Sequence, residues 1–237
     1  MNERLVRYED GGVDLEGLLV HAGYQAGERP GVLIAHAWGG RGELEEDSAR
    51  RLAELGYVAF ALDMYGRGIR GSSREENAGL IAPFLADRRM LQQRIQSAVN
   101  ALREQAEVDS GRIAAIGYCF GGLCVLDLAR SGADVRGVVS IHGLFTPPDP
   151  VPGRPISARV LALHGHDDPM VPVDAVNALE AELTAAGADW QIHVYGGAMH
   201  AFTNPRANDP EFGTVYNETA DRRSWAAMTA FLAEVTG

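Results

Sequence analysis

Basic clusters are missing from this sequence. There is no run of Lys or Arg, and the net charge is −11 over 237 residues. Nucleic acid and anionic membrane surfaces both require a basic patch, so neither is expected as a partner. Long apolar runs are missing too, and none approaches the roughly 20 residues of a membrane span. At the N-terminus, Met1-Asn2-Glu3-Arg4 leads straight into a strand-like segment. No apolar core followed by a small-residue cleavage site is found there, so no secretory leader is expected. Cysteine is scarce: only Cys119 and Cys124 occur. Placed on one predicted helix, they point to different faces and are too far apart for an unstrained disulfide. The expectation is a soluble, cytoplasmic protein with reduced thiols, a monomer or homodimer. Internal repeats and linkers are also absent, so residues 1–237 are expected to form one domain.

What is present is an alternation of strands and helices. Residues 4–9 and 13–21 form a predicted hairpin around Asp10-Gly11-Gly12, its second arm half-exposed at a sheet edge. Apolar runs at 31–36 and 57–62 read as buried strands, and those at 112–117, 135–141, 160–164 and 189–195 as further strands. Amphipathic stretches at 43–55, 74–86, 88–106, 120–130, 173–186 and 221–235 read as helices. Asp109-Ser110-Gly111 is a predicted turn, and the Pro-rich loop from Thr146 to Pro155 is expected at the surface. This order predicts an α/β fold: a mostly parallel central sheet with helices on both faces and a short antiparallel N-terminal edge. Ligands of such sheets bind at the carboxyl ends of the strands, so those ends are where chemistry is sought.

The first candidate is Cys119, in Gly117-Tyr118-Cys119-Phe120-Gly121-Gly122. A strand running into a helix through Gly-x-Cys-x-Gly is the nucleophile-elbow pattern with cysteine replacing serine. A thiol at a helix N-terminus has its thiolate favoured by the helix dipole. The plainer reading is a buried apolar cysteine at a strand–helix junction. After the strand ending at His164 comes Gly165-His166-Asp167-Asp168-Pro169. Asp167 and Asp168 both qualify to orient a histidine, and one is also suited to cap the following helix. His200, in Gly196-Gly197-Ala198-Met199-His200, sits on a glycine-rich loop after the last predicted strand, where a general base is well placed. His21 and His193 lie within strands, His36, His142 and His164 end strands, and His166 shares the Asp loop. Nucleophile, acid and base then follow in the chain order of an α/β-hydrolase triad. Backbone N–H groups of Trp38 and Phe120 are the candidate oxyanion donors. Trp38, Tyr65, Phe120, His142 and Phe145, near the strand ends, are candidate pocket residues, although packing explains each equally well. No metal or cofactor is expected.

The motifs around Cys119, Gly165-x-x-Asp168-x-x-Val171-Pro172 and Gly197-Ala198-Met199-His200-Ala201-Phe202 resemble the dienelactone hydrolase family of α/β-hydrolases over essentially the whole chain. The resemblance implies a Cys119–His200–Asp168 triad and ester or lactone hydrolysis through a thioester, and it selects Asp168 over Asp167. Two positions depart from its pattern. Ala37 stands where a cysteine-activating glutamate is expected, and Asn204 where a substrate-binding arginine is expected. A second such arginine would be Arg67, Arg70, Arg88 or Arg89. A missing positive clamp favours neutral substrates: esters, lactones or phosphotriesters. A non-catalytic small-molecule-binding scaffold is the alternative of another class.

Overall fold

The computed structural model describes residues 1–23, 27–149 and 153–237. The chain opens with a hairpin, β1 (Asn2–Asp10) and β2 (Val13–His21), followed by β3 (Arg29–Ala35) and α1 (Glu43–Glu54). Next come β4 (Val58–Ala61), α2 (Arg74–Ala86), α3 (Arg88–Arg103), β5 (Val108–Tyr118) and α4 (Phe120–Arg130). The rest is β6 (Gly137–Ile141), β7 (Arg159–Gly165), α5 (Val173–Ala185), β8 (Trp190–Tyr195), β9 (Asn208–Asp209), β10 (Thr214–Val215) and α6 (Glu218–Thr236).

Eight strands form one sheet in the order β1-β2-β4-β3-β5-β6-β7-β8. The hairpin and the β2–β4 pair are antiparallel, and every other neighbour in this sheet is parallel. The pleat divides each inner strand between two cores. Val32 and Ile34 of β3 pack beneath α1 and α6, with Ala49, Leu52, Met228 and Leu232. Leu33 and Ala35 face the opposite side, with Ile95 of α3, Leu123 of α4 and Leu179 of α5. Both faces are dry, which is why these strands read as continuous apolar runs. No helix among the described residues is long and apolar enough to cross a membrane.

Three expectations are corrected. β2 is not the edge: it lies between β1 and β4 and is buried over most of its length, while β1 forms the exposed border. Asp109-Ser110-Gly111 does not precede β5 but lies inside it, as a bulge. Pro30 pairs with Asp109 and Gly31 already pairs with Ile113. α6 starts earlier than expected because the Asn217 side chain accepts the Ala220 N–H and caps it. In the Pro-rich loop, Thr146, Asp149 and residues 153–155 are exposed, whereas Pro148 is buried; residues 150–152 lie outside the described residues.

Candidate active site

The elbow between β5 and α4 forces Cys119 into a left-handed backbone with φ of 54°, a conformation that non-glycine residues avoid. Its N–H is held by the carbonyl of Ile141, at the end of β6. A Cβ on Gly117 would collide with the backbone of Gly121, and one on Gly121 with the backbone of Ala35. The turn therefore closes only with glycine at both places, and it presents a half-exposed thiol at the N-cap of α4. Cys124, one turn further on, is fully buried, and its burial pushes the thiol upward in pKa. Both cysteines are free.

His200 follows β8, and the small β9–β10 hairpin holds its backbone. Its N–H donates to Gly213 O and its carbonyl accepts from Val215 N. Its ring is buried and its Nδ1 lies 2.7 Å from Oδ2 of Asp168, itself only 3% exposed. A carboxylate on Nδ1 makes that nitrogen the donor, which leaves Nε2 as the atom free for chemistry. Nε2 is buried without a hydrogen-bonded oxygen or nitrogen partner among the described residues. Burial opposes the ring's charge, but the neighbouring Cys119 thiolate and the Asp168 carboxylate outweigh it and raise the pKa to about 10. The site is thus built to hold an imidazolium.

Asp167 is exposed and takes no part. Contrary to expectation, neither aspartate caps α5, whose N-cap is Pro172 with no side-chain bond. Asp168 instead accepts the Met170 N–H through Oδ1, which fixes the carboxylate.

The loop after β3 is pinned at successive peptide groups. His36, fully buried, bridges the ends of β3 and β4: its Nδ1 donates to Ala37 O at 2.6 Å and its Nε2 accepts from Met64 N at 3.1 Å. Burial lowers its pKa to about 4, so the ring is neutral and can do both. Gly40 N also donates to Ala37 O, and the Tyr65 hydroxyl donates to Trp38 O. In a trans peptide the Trp38 N–H points opposite to the Ala37 carbonyl, so its direction is fixed by these same bonds.

The profile of the dienelactone hydrolase family matches residues 15–236. The chain belongs to the dienelactone hydrolase family. It is a hydrolase of the α/β-hydrolase fold. A solved structure named m3DLH is 37% identical, covers 100% of this chain and 99% of its own, and superposes with a TM-score of 0.95. The dienelactone hydrolase-like promiscuous phosphotriesterase P91 from metagenomic libraries is 36% identical with the same coverage and TM-score. A Yersinia pestis relative, named as a candidate carboxymethylenebutenolidase, is 27% identical over 92% of this chain and 82% of its own.

In this dienelactone hydrolase family member a cavity of about 330 Å³ opens above Cys119, Phe120 and His200. Its lining includes the expected Ala37, Trp38, His142 and Asn204. His142 is held by a 2.8 Å bond from Nε2 to Thr203, and its ring packs edge-on against His200. Three pocket expectations fail. Tyr65 lies behind the loop with its hydroxyl engaged by Trp38. Phe145 packs on His164 away from the cavity. Arg88 is locked on Asp127 by two 2.7 Å bonds, on the far side of α4. Of the other arginines, Arg67 pairs with Asp14, and Arg89 borders a groove beside Asp10.

The sequence reading missed Arg74, Asp209 and Phe212, which line the cavity mouth. Arg74 pairs with Asp209 and lies over the Phe212 ring, which stacks on Trp38 at 5.7 Å. The Asn208-Asp209-Pro210 and Gly213 signals mark a turn there, which was the available clue. Among the described residues, no group of three or more His, Cys, Asp or Glu is arranged to hold a metal ion.

Proposed function

We propose that this hydrolase cleaves neutral carboxylic esters or lactones through Cys119, His200 and Asp168, by way of a thioester. The observation that carries the reading is the buried 2.7 Å His200–Asp168 contact at the mouth of the Cys119 elbow. His200 takes the thiol proton, and Asp168 steadies the resulting imidazolium. The thiolate adds to the carbonyl carbon, and the oxyanion is held by the N–H groups of Trp38 and Phe120. The tetrahedral adduct expels the alcohol, which leaves with the proton from His200. His200 then deprotonates a water that hydrolyses the thioester and returns the proton to sulfur.

Neutral substrates are favoured because Arg74 is the one arginine lining the cavity among the described residues, and its charge is already matched by Asp209. The likeness to P91, a promiscuous phosphotriesterase by name, supports a second reaction of the same cysteine, attack on a neutral aryl dialkyl phosphate. A panel of a p-nitrophenyl ester, a γ-lactone and an aryl dialkyl phosphate, run on wild type and Cys119→Ala, tests both. Turnover of ester or lactone that vanishes in the variant is expected. Undiminished turnover in Cys119→Ala would reject the nucleophile, and an inert wild type whose thiol resists alkylation would favour a binding scaffold.

A further inference from the structure

Glu45, in the first turn of α1, is only 3% exposed. Its Oε1 accepts the Ala37 N–H at 3.0 Å and its Oε2 the Gly42 N–H at 2.9 Å. No ion pair joins Glu45 to an arginine or histidine among the described residues; the nearby Arg41 pairs with Glu46 instead. A buried carboxylate without a cation is costly, and burial raises the pKa of this one while the backbone N–H bonds oppose the rise.

The bond to Gly42 is the capping-box bond of α1, with Glu45 as its N3 residue, but capping does not account for the bond to Ala37. Oε1 reaches beyond the helix to the Ala37 N–H, one peptide before the group that carries the Trp38 N–H. With Ala37 N–H consumed by Glu45, that group cannot act as an oxyanion donor, whereas no hydrogen bond among the described residues occupies the Trp38 N–H.

We infer that Glu45 is a positioning residue for the oxyanion hole: its carboxylate ties Ala37 to Gly42 and so aims the Trp38 N–H at the reacting carbonyl. It does not line the cavity over Cys119, whereas Ala37, which stands where the family resemblance places a cysteine-activating glutamate, does. Its action is on the oxyanion, not on the sulfur. The inference rests on the proposed Cys119 mechanism.

Two reactions of the same sulfur separate the roles. With p-nitrophenyl acetate the thiolate forms a C–S bond at the carbonyl, the C=O electrons move onto oxygen, and collapse expels p-nitrophenolate. With iodoacetamide the thiolate displaces iodide from a saturated carbon, and no oxyanion forms. The sequence contains no lysine, so acyl label from the ester does not spread to side-chain amines. Glu45→Ala is expected to slow acylation by roughly 10², through kcat more than KM, as a misplacement of about 1 Å in a fixed catalytic group does. Alkylation should stay within about twofold of wild type. Glu45→Gln keeps one acceptor oxygen and should lose about tenfold in acylation. If Glu45→Ala does not fold, the same comparison is read on Glu45→Gln, with melting temperatures taken alongside. Parallel loss of acylation and alkylation would place Glu45 on the sulfur and overturn the inference, as would unchanged acylation in both variants. A wild-type Cys119 that neither acylates nor alkylates would overturn the proposed mechanism and the inference with it.

Discussion

Two buried acid–base clusters flank α4, and they differ in one respect. On the outer side, Asp127 accepts both a forked pair of bonds from Arg88 and one from Arg130, and Arg130 forks onto Glu182. Two further bonds reach the carbonyls of Phe145 and Thr146. Two cations meet two anions. On the inner side, Asp168 and His200 are as deeply buried, but among the described residues Nε2 of His200 has no oxygen or nitrogen partner and lies beside a strained cysteine. A cluster that closes on itself holds the fold together, because it has nothing left to give to a ligand. A cluster with an open atom at a cavity is equipped for chemistry. Charged residues at a strand or helix end look alike in the sequence; only their completeness tells them apart.

The largest effect should come from breaking the open cluster. Cys119→Ala should lower ester turnover by at least about 10³ while shifting Tm by less than roughly 3 °C, because it removes a reactive atom and little packing. Breaking the closed cluster should do the reverse. Asp127→Ala leaves Arg88 without a carboxylate while Arg130 keeps Glu182, and is expected to destabilise by about 3–5 kcal/mol in denaturant melts. Turnover per folded molecule should then stay near wild type. If Asp127→Ala cut turnover per folded molecule as severely as Cys119→Ala, the two clusters would not be distinct.

The open cluster also has a titration signature. Burial works against the His200 imidazolium, and the Cys119 thiolate is the foremost charge that overcomes it. With the thiolate present the pKa rises to about 10, so the ring stays protonated through neutral pH and loses its proton only as pH climbs toward that value. In Cys119→Ala the raising charge is gone while burial and Asp168 remain, so the ring should titrate at lower pH. NMR of the His200 ring protons in both proteins measures the shift, and an unmoved titration would mean that thiolate and imidazolium are not coupled.

Much of this is legible in the sequence. The parallel strands declared themselves as apolar runs because both sheet faces are covered, and Cys119, Asp168 and His200 stood at strand ends in hydrolase order. The β2 error had a local cause: Asp14 and Glu16 gave its start an edge-like alternation, while pairing with β4, which no spacing within β2 encodes, buries the rest. Arg88 was misplaced for the same kind of reason. Its partner Asp127 lies on another helix, and a sequence shows a charge without showing what neutralises it. The cavity mouth was hidden because Arg74 and Asp209 are 135 residues apart and meet only when the β9–β10 hairpin folds over α2.

That mouth is a third case, charges matched but exposed, and it should give the smallest effect. The Arg74 and Asp209 side chains are 59% and 38% exposed, where solvent screens the pair, so Asp209→Ala should cost less than about 1 kcal/mol in stability. Asp209 Oδ1 also accepts the Phe212 N–H and so holds that ring against Trp38. Its loss should raise KM for an aryl ester by roughly two- to fivefold with kcat unchanged, because looser substrate contacts weaken binding without touching the transition state. A kcat that fell with it would put the hairpin in control of His200, whose backbone bonds to Gly213 and Val215 run through the same turn.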